Sequence, residues 1–373
     1  MLKDYDVIVV GSGPAGFAVA TTAARRGKSV VVLERNEKFA KKIYATGNGK
    51  CNYANTNSPW AAEALEFTKS IGIIPLSEDE GRLYPRNRQA ASVVKCMEFG
   101  AANAGVKLFK DFEVASVQKN GQLFEVKSKV GETLTSDSVV IATGGKAGIQ
   151  FGCYGDGFKW ATEMGIKVVK PIPALCGLEV EENIEALAGV RVPAAVQLLC
   201  NGAVIATDKG EVQFTKNSVS GICVMNLARN VRKEEGKEFS LKIDLFPEYT
   251  DEELLAIIFN QIKVAGCGLE GIVPREFHDY VHVYAKLLGM PHNPLTMSQL
   301  CKNLCFKVTG TKGWKDAQVT SGGVDFEELD DSYQSKIVPG LYFAGEVLNY
   351  DGPCGGYNIT FAIASGVKVG NSI

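Results

Sequence analysis

The feature that most constrains the fold lies in the first 35 residues, where two hydrophobic runs flank a glycine-rich turn. DYDVIVVGSGPAG occupies 4–16 and VVVLER occupies 30–35. Val7–Val10 are predicted to form a buried strand, Gly11 a sharp turn, and the residues from Pro14 onward a helix. A second buried strand then follows. This order of elements predicts a parallel βαβ unit that binds a nucleotide.

Each remaining residue of the motif has its own physical reason. Gly13 lets the backbone approach a pyrophosphate, and Gly16 lets the helix pack closely on the strand. The helix that begins near Pro14 directs its positive end at the diphosphate. Glu34 ends the second strand, where a carboxylate can accept both hydroxyls of an adenosine ribose. The full pattern is therefore far more specific than a lone glycine motif.

Length and charge set the class of protein. A chain of 373 residues suggests two or three domains at ~150 residues each. With 40 basic and 42 acidic residues, the charge balance gives no sign of a nucleic-acid partner. No run approaches the ~20 apolar residues of a membrane span, and no signal peptide is recognisable. We therefore expect a cytoplasmic protein without membrane or nucleic-acid partners; its oligomeric state is left open.

Cysteine and histidine placement argues against disulfides, metals and hydrolase chemistry. Ten cysteines without regular spacing favour reduced thiols. His278 and His282 stand one turn apart on a predicted helix, but no Cys or Glu pattern completes a metal shell, so no metal site is expected. No GxSxG elbow is present. GCGLEG at 266–271 matches a dinucleotide motif but follows a helical pattern, and we interpret it as a chance match.

The segments after the βαβ unit add to this domain. KKIYATGNGKCN at 41–52 predicts a long loop that serves a site. Helical patterns follow at about 60–71 and 88–104, then three antiparallel strands with an Asn120-Gly121 turn. A return strand ends in ATGG at 142–145. This arrangement resembles the FAD-binding domain of the glutathione-reductase-like superfamily.

We therefore expect an α/β protein with a glutathione-reductase-like Rossmann FAD-binding domain and an inserted β-barrel-like plus helical domain. The FAD-binding domain is predicted at 1–170 and 319–373, the inserted β-rich domain at 171–245, and the helical lobe at 246–318. An Asn201-Gly202 turn supports the antiparallel part. Capping boxes are predicted at Thr250 with Glu253 and at Thr296 with Gln299.

The C-terminal segment returns to the first domain. IVPGLYFAGE at 337–346 predicts a buried strand, and CGGYNITFAIASGVKVG at 354–370 a helix with glycines at its start. Such a helix points its N-terminal amides at whatever lies above the sheet. The N1 and C2 carbonyl region of a flavin fits there, and the dipole would stabilise its reduced form.

Several longer motifs carry a specific resemblance: TGNGKCN at 46–52, GRLYPRNRQA at 81–90, GDG at 155–157, VTGTKGWKDAQVTSGGV at 308–324, and DGPCGGYN at 351–358. Over nearly its whole length the chain resembles bacterial FAD-dependent oxidoreductases of the HI0933-like, or aminoacetone oxidase-like, family, which includes flavin reductases of bile-acid dehydroxylation.

The resemblance implies a set of FAD-binding residues that extends from the pyrophosphate to the flavin ring. Toward the adenosine and diphosphate these are Gly11, Gly13, Pro14, Ala15, Gly16, Glu34, Arg35, Val114, Thr143 and Gly144. Toward the ribityl chain they are Gly345 and Glu346. Around the ring they are Thr46, Gly47, Asn48, Gly49, Cys51, Gly356, Tyr357, Asn358 and Ile359.

The chain also departs from the family pattern. It has FTKNSVSGIC where the family commonly has a His and a Pro, so that Lys216 and Ile222 stand near those positions. Lys50 replaces the usual Arg of TGNGRCN, and the two cations differ in geometry. Cys153 and Tyr154 replace small hydroxyl residues before GDG. These changes put a proton-transfer role of that His, and anion recognition by that Arg, in doubt.

The expected function is an enzyme, an FAD-dependent oxidoreductase that accepts hydride at flavin N5 and passes it to an organic acceptor such as an activated C=C of an unsaturated ketone. Tyr357 is the candidate acid. Cys51 is a second catalytic candidate, with plain packing as its alternative. The expected substrate is a small molecule, and apolar stretches in the middle of the chain permit a hydrophobic one.

Two points stay open at this level. The chain shows no second dinucleotide domain, so the redox partner of the flavin is NAD(P)H bound transiently over it, another protein, or dioxygen as the electron acceptor of an oxidative cycle. The competing functions are an amine or amino-ketone oxidase that uses dioxygen, and a non-catalytic FAD-binding redox sensor.

Overall fold

The computed structural model describes residues 3–231, 236–266 and 268–373. The chain divides into two compact units, one formed by Met1–Ile172 with Val319–Ile373 and the other by Pro173–Gln318.

In the described residues the α-helices are α1 (Pro14–Arg25), α2 (Ala61–Ser70), α3 (Ala90–Asn103), α4 (Asp156–Glu163), α5 (Ile222–Leu227), α6 (Asp251–Ala265), α7 (Arg275–Leu287), α8 (Pro294–Lys302) and α9 (Tyr357–Ser372). The strands are β1 (Tyr5–Val10), β2 (Val30–Leu33), β3 (Ala54–Asn55), β4 (Pro75–Ser77), β5 (Arg82–Pro85), β6 (Lys107–Phe109), β7 (Val114–Asn120), β8 (Leu123–Ser128), β9 (Thr133–Ile141), β10 (Val168–Ala174), β11 (Leu178–Val180), β12 (Arg191–Cys200), β13 (Ala203–Phe214), β14 (Ser218–Ser220), β15 (Phe239–Asp244), β16 (Leu304–Thr311), β17 (Val319–Val324) and β18 (Leu341–Phe343).

A seven-stranded sheet organises the first unit, in the order β6-β2-β1-β9-β8-β7, with β18 also paired to β9. Strands β1, β2, β6, β9 and β18 run parallel, whereas β7 and β8 form an antiparallel hairpin that joins β9. The hairpin forms as predicted, although its two-residue turn is Gly121–Gln122, one residue later than the Asn120-Gly121 pair. This is the predicted Rossmann-type sheet.

The central strand β1 is buried on both faces because successive side chains of a strand point in opposite directions. Val7 and Val9 enter one hydrophobic core together with α1 and α9, while Ile8 and Val10 enter a second core together with β8 and α4. The run of four apolar residues that predicted a buried strand is therefore shared between two cores.

Helices α1 and α9 approach each other so closely that glycine is required between them. A Cβ added at Gly366 would lie 2.4 Å from the Ala15 carbonyl oxygen, and one added at Gly370 would lie 2.8 Å from the Val19 carbonyl oxygen. At the other side of α1, a Cβ at Gly16 would lie 2.0 Å from the Gly11 carbonyl oxygen. Backbone rather than side chains thus sets the position of α1.

The second unit is a closed six-stranded barrel in the order β11-β14-β13-β12-β15-β16. Asn201 and Gly202 form the predicted hairpin turn between β12 and β13, with φ of +49° and +79°. Helices α6, α7 and α8 lie between β15 and β16 in the chain. Leu304–Thr311, which lies in the stretch predicted as a helical lobe, is therefore a barrel strand.

The two predicted capping boxes have different outcomes. Thr250 and Glu253 form the reciprocal pair, so that prediction is confirmed. The second prediction is wrong, because α8 begins earlier, with Pro294 in its first turn and Asn293 as its N-cap, whose side chain accepts from the Thr296 amide. In the GCGLEG segment, α6 ends at Ala265 and Gly266 is its C-cap; Cys267 lies outside the described residues.

The packing of α1 on α9 predicts the effect of Gly366→Ala. Alanine favours a helix over glycine by about 1 kcal/mol, but here its Cβ would meet the Ala15 carbonyl oxygen. We expect a net loss of about 1–3 kcal/mol in the free energy of unfolding, measured on the apoprotein by guanidinium unfolding with tryptophan fluorescence. Gly13→Ala is the control, because its Cβ would meet nothing within 4 Å. Equal stability of both variants would contradict this account.

Candidate functional site

The predicted pyrophosphate turn has an open helix N-terminus. Gly13 is the N-cap of α1, the cap has no side-chain hydrogen bond, and the first turn contains no acidic residue. Gly11 has φ of +103°, and a Cβ there would lie 2.5 Å from the Ala142 carbonyl oxygen. The turn is therefore held against the end of β9, while space remains open beside Gly13. Pro14 opens the helix, and Ala15 and Gly16 are buried in its first turn.

The carboxylate of Glu34 lies beside this turn. Only 7 % of the residue is exposed. Its Oε2 accepts from the amide and hydroxyl of Ser12, and its Oε1 accepts from the amide and side chain of Asn36 at 2.8 and 2.7 Å. Motif-based reasoning did not identify Ser12 or Asn36, because both stand at variable positions of the motif.

Arg35 is held by protein partners near the same edge of the sheet. Its guanidinium lies 2.7 Å from Asp156 and 3.4 Å from Glu113, and it donates to the Gly152 carbonyl at 3.1 Å. It also lies over the Tyr154 ring at 5.0 Å. Arg35 therefore organises the loop before α4, and this loop contains two of the residues that depart from the family pattern, Cys153 and Tyr154.

Val114, Thr143 and Gly144 lie close to this region. Val114 begins β7 and is buried, two residues after Phe112, whose amide donates to the Glu34 carbonyl at 2.9 Å. Thr143 follows β9, and a Cβ at Gly157 would lie 2.5 Å from its hydroxyl oxygen. The GDG motif thus supplies the glycine that lets α4 approach the end of β9.

Glu346 forms an ion pair rather than standing free toward a ribityl chain. Its Oε2 accepts from Lys42 Nζ at 2.9 Å, and its Oε1 accepts from the Thr320 amide at 2.9 Å. Burial disfavours the charged ammonium of Lys42 and acts to lower its pKa. The interactions with Glu346 and Cys153 outweigh this effect, so the pKa of Lys42 is raised. The neighbouring Gly345 packs against Ala15, since a Cβ at Gly345 would lie 2.7 Å from that of Ala15. Sequence reasoning missed both Lys42 and Thr320.

The loop predicted to approach the ring has an unusual backbone. Gly47 and Gly49 have positive φ, and so do two non-glycine residues, Asn48 and Cys51, at +53° and +58°. Non-glycine residues in this region are strained and concentrate at functional sites. Thr46 precedes this stretch, and its hydroxyl donates to the Ile43 carbonyl at 2.7 Å.

Cys51, the second catalytic candidate, is fully buried in this loop. Burial raises the pKa of its thiol to about 11. The thiol is therefore neutral at physiological pH, whereas a nucleophilic cysteine needs its thiolate form. This environment favours the packing interpretation of Cys51.

The start of α9 is the second open helix N-terminus. Gly356 is its N-cap at φ of +95°, without a side-chain cap. A Cβ there would lie 2.5 Å from the Ala54 carbonyl oxygen and 2.8 Å from Asn52 Oδ1. The preceding loop is fixed by Asn358, whose side chain bonds both the amide and the carbonyl of Gly352 at 2.8 and 3.0 Å. Tyr357 and Ile359 are half-buried in the first turn.

The segment around β3 and β5 joins the two loops. Asn55 donates to the Gly355 carbonyl at 2.7 Å, and Asn52 donates to the Leu83 carbonyl at 2.9 Å. The loop at 41–52, strand β5 and the loop before α9 therefore form one cluster in the first unit. The motif GRLYPRNRQA supplies β5 and so lies in this cluster.

His278 and His282 lie on α7 as predicted, with 3.0 Å between their Nε2 atoms, and His282 stacks on His292. Burial and the neighbouring histidines lower the pKa of His282. Within 3–231, 236–266 and 268–373, no group of three or more His, Cys, Asp or Glu residues is arranged to hold a metal ion. Over the same described ranges, no helix is long and apolar enough to cross a membrane.

Comparison with known proteins gives a family profile and two relatives that each match almost the whole chain. The profile of the HI0933-like protein Rossmann domain family matches residues 5–65 and 60–372. A 3-dehydro-bile acid delta(4,6)-reductase of Clostridium scindens is 32% identical over 98% of both chains. A ribosomal RNA dihydrouridine synthase of Haemophilus influenzae is 27% identical, again over 98% of both.

Among solved structures, a 3-ketosteroid-delta4-(5alpha)-dehydrogenase from Rhodococcus jostii matches with a TM-score of 0.53 at 14% identity, over 100% of this chain and 97% of that one. At this identity the match describes the fold alone. The profile match and the reductase relative, which both extend along almost the whole chain, decide the family. The chain belongs to the HI0933-like family of FAD-dependent oxidoreductases.

Proposed function

We propose that FAD binds in an extended conformation along the edge of the sheet, with its diphosphate at the start of α1 and its ring at the start of α9. The uncapped amides at Gly13 and the open space beside that residue support the diphosphate position. Glu34, fixed by Ser12 and Asn36, supports the ribose position. Ser12 and Asn36 already donate two hydrogen bonds to each carboxylate oxygen, so a ribose hydroxyl would bind Glu34 by replacing one of these donors.

The observation that carries the proposal is a buried acceptor beside the start of α9. In the described part of the chain, no donor reaches the buried Asn52 Oδ1, and leaving such an atom unpaired costs free energy. A flavin offers a donor, N3–H, next to an acceptor, the C2 carbonyl. Asn52 Oδ1 and the first-turn amides of α9, which receive no side-chain cap, match this pair, so the residues present fit a flavin.

The proposed reaction is reduction of a C=C bond conjugated to a carbonyl. The names of two relatives support it, since a delta(4,6)-reductase of a 3-dehydro-bile acid and a dihydrouridine synthase both denote saturation of such a bond. When bound and reduced, FAD supplies a hydride from N5. The positive end of α9 stabilises negative charge near its first turn, which favours the reduced cofactor.

The chain's own residues then supply binding and a proton. Tyr357, half-buried in the first turn of α9, is the proposed proton donor to the substrate. Cys51 packs the loop and stays neutral. NAD(P)H is the proposed reductant and binds transiently, because no second dinucleotide-binding motif of the required strand–turn–helix form was found in the sequence.

The proposed substrate is a small molecule, and a hydrophobic one agrees with the bile-acid relative. RNA is the competing class, introduced by the relative named as a ribosomal RNA dihydrouridine synthase. The nearly even balance of 40 basic and 42 acidic residues favours the small molecule, since nucleic-acid surfaces are strongly basic.

Glu34→Gln tests the ribose contact. Replacing the carboxylate by an amide removes charge-assisted acceptance, so we expect FAD affinity of the apoprotein to fall about 10–100-fold. Isothermal titration with FAD measures it, and Glu63→Gln, an exposed change on α2, is the control. Unchanged affinity of Glu34→Gln would refute the assignment.

Gly13→Ala tests the diphosphate position. The added methyl group meets no protein atom within 4 Å, so the apoprotein should keep its stability, but the methyl group enters the space proposed for the diphosphate. We expect at least a tenfold loss of FAD affinity, which corresponds to about 1.4 kcal/mol. Tight FAD binding by this variant would place the diphosphate elsewhere.

Anaerobic half-reactions test the chemistry. NADH or NADPH should bleach the flavin of the FAD-loaded enzyme, and an unsaturated 3-oxosteroid acid should restore its colour with formation of the saturated product. Bleaching by an amine or amino-ketone, with peroxide formed in air, would instead identify an oxidase. Reoxidation by a uridine-containing ribosomal RNA fragment alone would identify an RNA substrate. A photoreducible flavin without turnover with any of these would identify a redox sensor.

A further inference from the structure

Strand β5 presents two polar side chains on one face. Side chains two residues apart on a strand share a face, so Arg82 and Tyr84 point to one side and Leu83 and Pro85 to the other. The burial pattern agrees, since Leu83 and Pro85 are buried whereas Arg82 and Tyr84 are half-exposed. The strand is held between β3 and β4 in a small antiparallel sheet.

This face contacts both loops that flank the proposed flavin ring. A Cβ added at Gly47 would lie 3.5 Å from Tyr84 Cε1. A Cβ added at Gly355 would lie 3.4 Å from Arg82 Nε. Tyr84 therefore lies beside Gly47 of the loop at 41–52, and Arg82 lies beside Gly355 of the loop before α9. Together the two side chains lie between these loops.

Both groups are available as hydrogen-bond donors. The carboxylate partner of Arg82 is Glu80, whose side chain is 71% exposed, and such solvent-exposed pairs contribute little. Burial and, to a smaller extent, the nearby Glu78 raise the pKa of the Tyr84 phenol, so the phenol keeps its proton. A guanidinium and a phenol are both donors suited to an oxyanion.

We propose that Arg82 and Tyr84 form an oxyanion site that holds the carbonyl oxygen of the substrate during reduction. The inference rests on the proposed reduction of a conjugated C=C bond. As the substrate β-carbon gains the hydride, a C–H bond forms, the C=C electron pair moves into the enolate, and charge collects on the carbonyl oxygen. Arg82 and Tyr84 donate to that oxygen.

The remaining step restores a neutral product. The α-carbon takes a proton from the proposed donor Tyr357, the carbonyl re-forms, and Tyr357 regains its proton from water. The substrate gains two electrons, which the reduced cofactor loses. The site also defines a substrate class: the C=C bond must be conjugated to a carbonyl whose oxygen can reach β5. Removing one donor from an oxyanion site lowers kcat about 10²–10³-fold.

The test uses 4-chlorophenol as a probe, since its phenolate mimics an enolate oxygen and gives a long-wavelength charge-transfer band when stacked on oxidised flavin. We expect the FAD-loaded wild type to show this band on titration. Tyr84→Phe and Arg82→Met should each weaken phenolate binding about tenfold or more, with FAD content unchanged. Tyr249→Phe and Arg191→Met, at sites in the second unit, are the matched controls. Arg82→Lys keeps the charge and should bind with intermediate affinity.

This experiment distinguishes failure of the proposed reaction from failure of the oxyanion site. If the phenolate binds through Arg82 and Tyr84 but no unsaturated ketone is reduced, the oxyanion site stands and the proposed reaction fails. If the enzyme reduces the ketone but both variants bind the phenolate like wild type, the oxyanion site is overturned. Absence of any phenolate band in the wild type would overturn it as well. With substrate, the variants should lose kcat more than they raise KM, because the negative charge on the carbonyl oxygen develops only as the hydride is transferred and is absent from the bound ground-state substrate.

Discussion

Close backbone contact between α1, the first glycine turn and α9 is the constraint on which the rest of the first unit depends. A Cβ at Gly16 or Gly366 would fall 2.0 or 2.4 Å from a carbonyl oxygen. This contact aligns two helices whose N-termini, at Gly13 and Gly356, are both uncapped. Two helix N-termini without a side-chain cap therefore belong to one unit, and the amides at such ends are suited to bind the diphosphate and the ring of an extended flavin nucleotide.

Two carboxylates, the buried Glu34 and the half-buried Glu346, then fix the loops around these helix ends. Glu34 binds Ser12 and Asn36, and Glu346 binds Lys42 and the Thr320 amide. Each joins segments that are distant in the chain, and each would be costly to bury without its partners. Both carboxylates therefore serve first to hold segments of the protein together. Glu346 would therefore contact a ribityl chain while it also binds Lys42. The glycine motif alone does not indicate this ion pair.

The region proposed to hold the flavin ring is assembled from three separate stretches of sequence. The loop at 41–52, strand β5 and the loop before α9 meet through Asn52 and Asn55. In the loop at 41–52, Asn48 and Cys51 have positive φ alongside Gly47 and Gly49. Tyr84 of β5 lies beside Gly47, and Arg82 of the same strand lies beside Gly355.

The sequence alone determined what depends on local pattern: the βαβ unit, the barrel hairpin at Asn201-Gly202, the capping box at Thr250 and the family. The α8 cap was predicted at Thr296 although Pro294, at the first helical position, already marks Asn293 as the N-cap. Tertiary structure alone decided that Glu346 pairs with Lys42, that Cys51 is a buried neutral thiol, and that Arg82 and Tyr84 reach both loops. These contacts join residues that are far apart in the chain. The local pattern of polar and apolar residues does not indicate which distant residues meet in the folded protein.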